Sequence, residues 1–229
     1  MFGDVIDRVS LPLVNITNTY RYVSRALRIA GTQIALEEVG EYERSAKDPQ
    51  FANIFAHNYQ EIHDRSFEVR VGEGVLAELQ IVERRVASSA LVFAHSIFEV
   101  CVSNCLMISF LAGPDDWMPL IENKKLSIAD LRAGELSVIC SRLVCEKIEA
   151  LEKESLMVKL DTFFRITAVG SNSLKLNNYK YDRKRVNAID SARHRAAHHD
   201  PAAYNPALLS EDATYLWTTV LFLLVSCNL

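Results

Sequence analysis

The chain of 229 residues is poor in the residues that mark many fold classes. Eight glycines and six prolines are too few for collagen, low-complexity linkers or a many-turned β-sandwich. The cysteines Cys101, Cys105, Cys140, Cys145 and Cys227 are odd in number, form no CxxC pair and stand mostly among apolar neighbours. That pattern suits buried thiols in a reducing compartment and argues against a disulfide framework or a zinc ribbon. There is no phosphate-binding glycine loop, no G-x-S-x-G, no H-E-x-x-H and no dinucleotide fingerprint. The opening Met-Phe-Gly-Asp-Val-Ile-Asp-Arg lacks the basic and apolar regions of a signal peptide. A cytoplasmic protein is expected.

What is present is ordinary for a soluble globular chain: 49% apolar and 24% charged residues. This excludes wholesale disorder and leaves one large domain, or one domain with an appendage. The longest apolar stretch, Leu91–Ala112, has Glu99 as its one formal charge. His95, Ser96, Ser103, Asn104 and Ser109 also interrupt it, and an ionised carboxylate near a bilayer centre is costly. A buried core helix is expected there, and no membrane partner. Leu216–Val225 is shorter than a span and reads as a core or interface helix.

Helical periodicity dominates. Val82, Val86, Ala90, Phe93, Ile97, Cys101 and Ile108 recur three, four or seven apart, which predicts a long amphipathic helix over Leu76–Ile108. It is expected to start after Gly72-Glu73-Gly74 and stop at Gly113-Pro114. Before it, Asn15–Gly40 and Pro49–Arg70 read as helices joined by a linker around Arg44–Asp48. After it come a loop over Gly113–Lys125, a capping box at Ser127-x-x-Asp130 and helical pattern over Glu135–Lys153 and Leu156–Ile166. A polar loop over Gly170–Asn178 precedes a helix from about Tyr181 to Ala197, ended by Asp200-Pro201. Ser210-Glu211-Asp212 reads as the N-cap of the last helix. The expected fold is all-α: a bundle over 71–229 with additional N-terminal helices over 1–70.

The formal charge of −4 hides an asymmetry. Between Lys175 and His199, seven cations (Lys175, Lys180, Arg183, Lys184, Arg185, Arg193 and Arg195) face only Asp182 and Asp190, a net +5 that leaves −9 elsewhere. A local basic stripe keeps polyanions open as partners. Half of the six histidines lie in Ser191-Ala-Arg-His-Arg-Ala-Ala-His-His-Asp-Pro201. His57 and His63 stand in a polar helical stretch and need no role.

Three readings of the histidine stretch compete. His194 and His198 share a helix face with Asp200 nearby, but no third metal ligand stands at a fixed spacing. Cations in a last helical turn also stabilise its carbonyls, which needs no function at all. The third reading is phosphodiester chemistry: a guanidinium neutralises charge growing on phosphate oxygens, and an imidazole moves protons near neutrality. On an ideal helix Arg193 and His198 lie about 140° apart, so reaching one phosphate needs a loosened helix end or a flanking cleft.

Arg193-His194-Arg195-Ala196-Ala197-His198, near the end of a helix in an all-α chain, resembles the HEPN superfamily motif, with His194 at its polar position. Glu99 is similar in setting to an acidic residue that the family carries on an earlier helix, and the resemblance covers about Val75–Val225. It implies a metal-independent endoribonuclease without a cofactor, acting as a toxin or antiviral effector under an antitoxin or regulatory partner. Two protomers would share one cleft. Arg193, His198, His194 and Glu99 would then be catalytic, with His199 an alternative to His198, while Arg195, His199, Lys184, Arg185 and Lys180 would hold RNA. Glu99 is expected to reach Arg193, with His95 one turn away as the competing partner. Tyr179 and Tyr181, interleaved with Lys180 and Arg183, are candidates for base stacking.

Overall fold

A computed structural model of the chain describes residues 2–47, 65–121, 135–167, 180–200 and 202–227. Among them there is no strand, and the fold class is all-α, as expected. The helices are α1 (Phe2–Lys47), α2 (Arg65–Ala112), α3 (Leu136–Glu152), α4 (Leu156–Ile166), α5 (Arg183–His198) and α6 (Leu209–Ser226). Short 3-10 turns lie at Pro114–Leu120 and Pro206–Leu208. The Ser127–Asp130 capping box, the loop over Gly170–Asn178, His57, His63, Lys175 and Tyr179 lie outside the described residues.

α2 is the axis of the molecule, and all five of the other α-helices pack against it. Its buried row is Ala87, Leu91, Ala94, Phe98, Val102 and Leu106. The row predicted from periodicity is met in part: Cys101 is buried and Ala90, Ile97 and Ile108 pack on the core, but Phe93 is 56% exposed and Val82 is exposed too. From Val86 to Ala112 the helix has apolar residues on most of its faces, so spacing alone did not single out the inner one. Phe163 and Leu160 from α4 and Phe222 and Leu223 from α6 close the core, each fully buried. Burying such side chains stabilises the fold by roughly 1.5–3 kcal/mol each.

The two long helices correct the sequence reading of the N-terminal half. α1 begins at Phe2, thirteen residues before the expected start, and runs on through Pro12 and Gly40. α2 begins at Arg65, so Gly72 and Gly74 lie inside it and the expected boundary between 70 and 71 crosses a continuous helix. Nothing stands where a Cβ at Gly40 or Gly74 would lie, and an exposed helical glycine costs only about 1 kcal/mol. At Gly31 a Cβ would collide with Leu79, which shows how closely α1 and α2 approach. Ile16 and Tyr20 of α1 also pack on the core.

The end of α2 is as read: the Gly113 N–H donates to the Ser109 carbonyl at 3.0 Å and Pro114 opens a 3-10 turn. That turn buries Trp117 completely, edge-on to Phe110, in the stretch read as a loop. α6 is capped differently from expectation. Asn205 accepts from the Ala207 N–H at 3.1 Å and starts the 3-10 turn, so Ser210 already lies inside the helix. Glu73–Ala112 and Pro206–Ser226 are both long and apolar enough to cross a membrane by length and composition, and the latter exceeds the short run expected at the C-terminus.

Candidate functional site

Asp182 caps α5 from just before its first residue, its carboxylate accepting from the backbone N–H groups of Lys184 (2.8 Å) and Arg185 (3.4 Å). It then buries Val186, Ile189 and Ala196 toward the bundle. Those positions are three and seven apart, and Arg193 completes the same row. An arginine therefore occupies an inward position of the helix.

Asp190 answers it, and His95 stands against Asp190. The Arg193 Nη2 donates to Asp190 Oδ1 at 2.8 Å, and the Nε2 of His95, from α2, lies 3.0 Å from that same oxygen. His95 is 1% exposed, while Arg193 and Asp190 keep about a quarter of their side-chain surface. The imidazole beside it, and then the guanidinium, hold the Asp190 carboxyl below the usual carboxylate range against the opposite pull of burial. The Nε of Arg193 and the Nε2 of His95 are both buried and make no well-directed hydrogen bond among the described residues, so His95 meets Asp190 at close range without an aligned N–H···O bond.

The histidines lie elsewhere on the turn. His194, His198 and His199 are all exposed, with the His194 ring centroid 4.9 Å from that of His198 and 5.5 Å from that of His199. The Arg195 carbonyl accepts from the N–H groups of both His199 and Asp200 at 2.9 Å, which closes the helix. Arg193 thus turns inward to α2 while His198 faces solvent. Within one chain the two do not converge, as the 140° between them on an ideal helix requires. Among the described residues no group of three or more His, Cys, Asp or Glu side chains is arranged to hold a metal ion.

Glu99 does not reach Arg193. Its Oε1 takes the Nζ of Lys159, from α4, at 2.9 Å. Glu99 lies about 40° around α2 from His95, which turns it from α5 toward α4. There it answers a lysine that is 3% exposed and needs a counter-charge. Sequence reasoning missed Asp190, His95 and Lys159 as partners. The signals available were the Asp190-x-x-Arg193 spacing and a histidine inside an apolar helix.

The other expected RNA contacts are divided. Arg185 is committed to α6: it meets Glu211 at 2.7 Å and Asp212 at 3.6 Å and lies 4.5 Å over the Tyr215 ring. Arg195 is exposed and lines a small pocket of about 320 Å³ with Tyr204, Asn205 and Asp212. Lys180 and Lys184 are exposed at the start of α5, and Lys184 is about 21 Å along the helix from His198 at 1.5 Å per residue. Tyr181 is buried and stacked on Phe222 at 6.4 Å, so it serves the core and not a base. Burial pushes its hydroxyl well above the usual phenol range. Cys101, Cys105 and Cys227 are buried free thiols, and burial pushes Cys101 up to about 11.

The chain matches no family model, no curated protein and no solved structure.

Proposed function

We propose that the chain is a metal-independent endoribonuclease of HEPN type, a toxin or antiviral effector working in the cytoplasm. One observation supports this above the rest. Arg193 stands in an apolar row of α5, is held there by Asp190, which itself lies against His95, and adjoins a turn with three exposed imidazoles. A guanidinium kept in such a position is costly for a fold that gains nothing else from it.

In the proposed reaction a ribose 2′-OH attacks the adjacent phosphorus as a base takes its proton. The bond to the 5′ oxygen breaks, that oxygen is protonated, and a 2′,3′-cyclic phosphate and a 5′-hydroxyl result. Arg193 neutralises charge on the non-bridging oxygens through the quarter of its side chain that stays exposed. His198 carries the proton, His194 packs against it, and no cofactor takes part. Since Arg193 and His198 diverge within one chain, the reading calls for a homodimer in which the ends of two α5 helices share one cleft. An antitoxin or regulatory partner would cover that cleft.

A second reading is a non-catalytic HEPN-like module for dimerisation or nucleic-acid binding. It is favoured by the charge of Asp190, which already answers Arg193. The two separate on incubating wild type, Arg193→Lys and His198→Ala with total RNA and tRNA in excess EDTA and reading the fragment ends. Cleavage by wild type alone, leaving 2′,3′-cyclic ends, supports the nuclease. Intact RNA together with salt-sensitive binding supports the module.

A further inference from the structure

Where α4, α5 and α6 meet at the start of α5, a cavity of about 850 Å³ opens. Arg165, Lys180 and Lys184 line it from different segments, with Phe164 and Tyr215 half-buried among them and two carboxylates, Asp161 and Asp182, the latter engaged in capping α5. Two other cations on this wall are already answered, Arg183 by Asp161 at 2.7 Å and Arg185 by Glu211. No carboxylate among the described residues pairs with Arg165, Lys180 or Lys184, and all three are exposed. Unanswered cations gathered in one groove are what the phosphates of single-stranded nucleic acid meet, while the rings are already engaged, Tyr215 under Arg185 and Phe164 on Tyr181 at 4.7 Å.

The cavity does not stand alone. From Lys184, the residues Asn187, Ser191, His194 and His198 follow within a window of about 80° around α5. All five are exposed and none is acidic, while Asp190 is turned to the inner side against His95. One face of α5 is therefore a polar, carboxylate-free track that joins the basic cavity to the histidine turn.

We infer that a single strand of RNA lies along this face, with one end seated in the Arg165–Lys180–Lys184 cavity and a phosphate at the His194–His198 turn. This rests on the nuclease reading for what happens at that turn, but the binding claim does not need it. The track of about 21 Å corresponds to about six stacked nucleotides at roughly 3.4 Å each. The substrate class is thus single-stranded RNA of about six nucleotides or more, and shorter pieces lose the cavity contacts.

The test uses the full chain and fluorescence anisotropy with a 2′-O-methyl octanucleotide and a 2′-O-methyl dinucleotide, which lack the attacking hydroxyl. The octamer is expected to bind wild type at least tenfold more tightly than the dinucleotide. The double variant Arg165→Gln/Lys184→Gln should lose at least tenfold in octamer affinity and about 1.4 in the slope of log K against log salt, at about 0.7 per cation for single strands. Ser191→Glu, an exposed change midway along the track, should weaken the octamer and leave the dinucleotide alone. Equal binding of the two lengths, indifference of the octamer to all three substitutions, or no octamer binding overturns the inference. RNA cleaved in an Arg193-dependent way with an octamer indifferent to the cavity sinks this proposal and spares the nuclease. Octamer binding through the cavity and track with RNA left intact by wild type does the reverse.

Discussion

His95 is the side chain whose replacement tests the site most directly. It is 1% exposed, its ring is edge-on to Phe98 at 6.4 Å, and its Nε2 lies 3.0 Å from Asp190. His95→Ala removes a buried ring, and cavity formation of that kind costs about 2–4 kcal/mol. Loss of the contact to a charged carboxylate adds about 1 kcal/mol, reduced because a quarter of Asp190 is open to water. A total near 3–5 kcal/mol corresponds to a drop of about 6–20 °C in melting temperature for a chain of this size. The acid limb carries the sharper signature. Asp190 is held below its usual range, most by His95, so this stabilisation is present above about pH 4 and is lost as pH falls through the lowered value. In His95→Ala the loss of stability below pH 4 should be shallower than in wild type. Denaturant melts from pH 2.5 to pH 7 read both quantities. A variant that melts within 1 °C of wild type with an unchanged acid limb would refute the assignment of His95 as the partner that orders Asp190 and, through it, Arg193.

Three further outcomes are expected. Glu99→Gln should lower stability by about 1–3 kcal/mol, because it strands a buried Lys159, and Glu99→Leu/Lys159→Met should recover most of it in chemical denaturation. Any cleavage per folded molecule should survive that change, since Glu99 faces α4 and not Arg193. His198→Ala should reduce cleavage about 10²–10⁴-fold with a melting shift under about 1 °C, and His199→Ala should reduce it less; equal losses would remove the distinction between them. Arg185→Ala should cost about 1 kcal/mol through Glu211 and Asp212 and leave octamer affinity nearly unchanged, which competition anisotropy checks.

How much of this was legible in the sequence depended on whether the signal was local. α4 coincides with the expected Leu156–Ile166, and Gly113-Pro114 ends α2, because capping and chain reversal are decided by adjacent residues. The α1 and α2 boundaries were misplaced at glycines, whose modest cost in an exposed helix is overridden by packing along the rest of α1 and α2. Side-chain partners were the least legible. Whether Glu99 meets Arg193, His95 or Lys159 depends on the rotation of α2 against two other helices, and a shift of 40° changes the answer. The Arg193 row was readable in principle from Val186, Ile189 and Ala196, but an arginine inside an apolar row reads as an interruption until its counter-charge is seen.

The inward setting of Arg193 also bears on how this chain can change over generations. A helix row of Val186, Ile189, Arg193 and Ala196 has one member that folding alone would not choose. Replacing a fully buried ion cluster by apolar residues of similar volume is often neutral or stabilising by about 1–4 kcal/mol, and a cluster that keeps a quarter of its charged surface in water lies toward the neutral end. A lineage released from selection on the site should therefore drift toward Leu or Met at 193, with 95 and 190 following, and its melting temperature should hold or rise as it does. On the proposed function, sequences that keep all three groups accept a less stable bundle in exchange for the site.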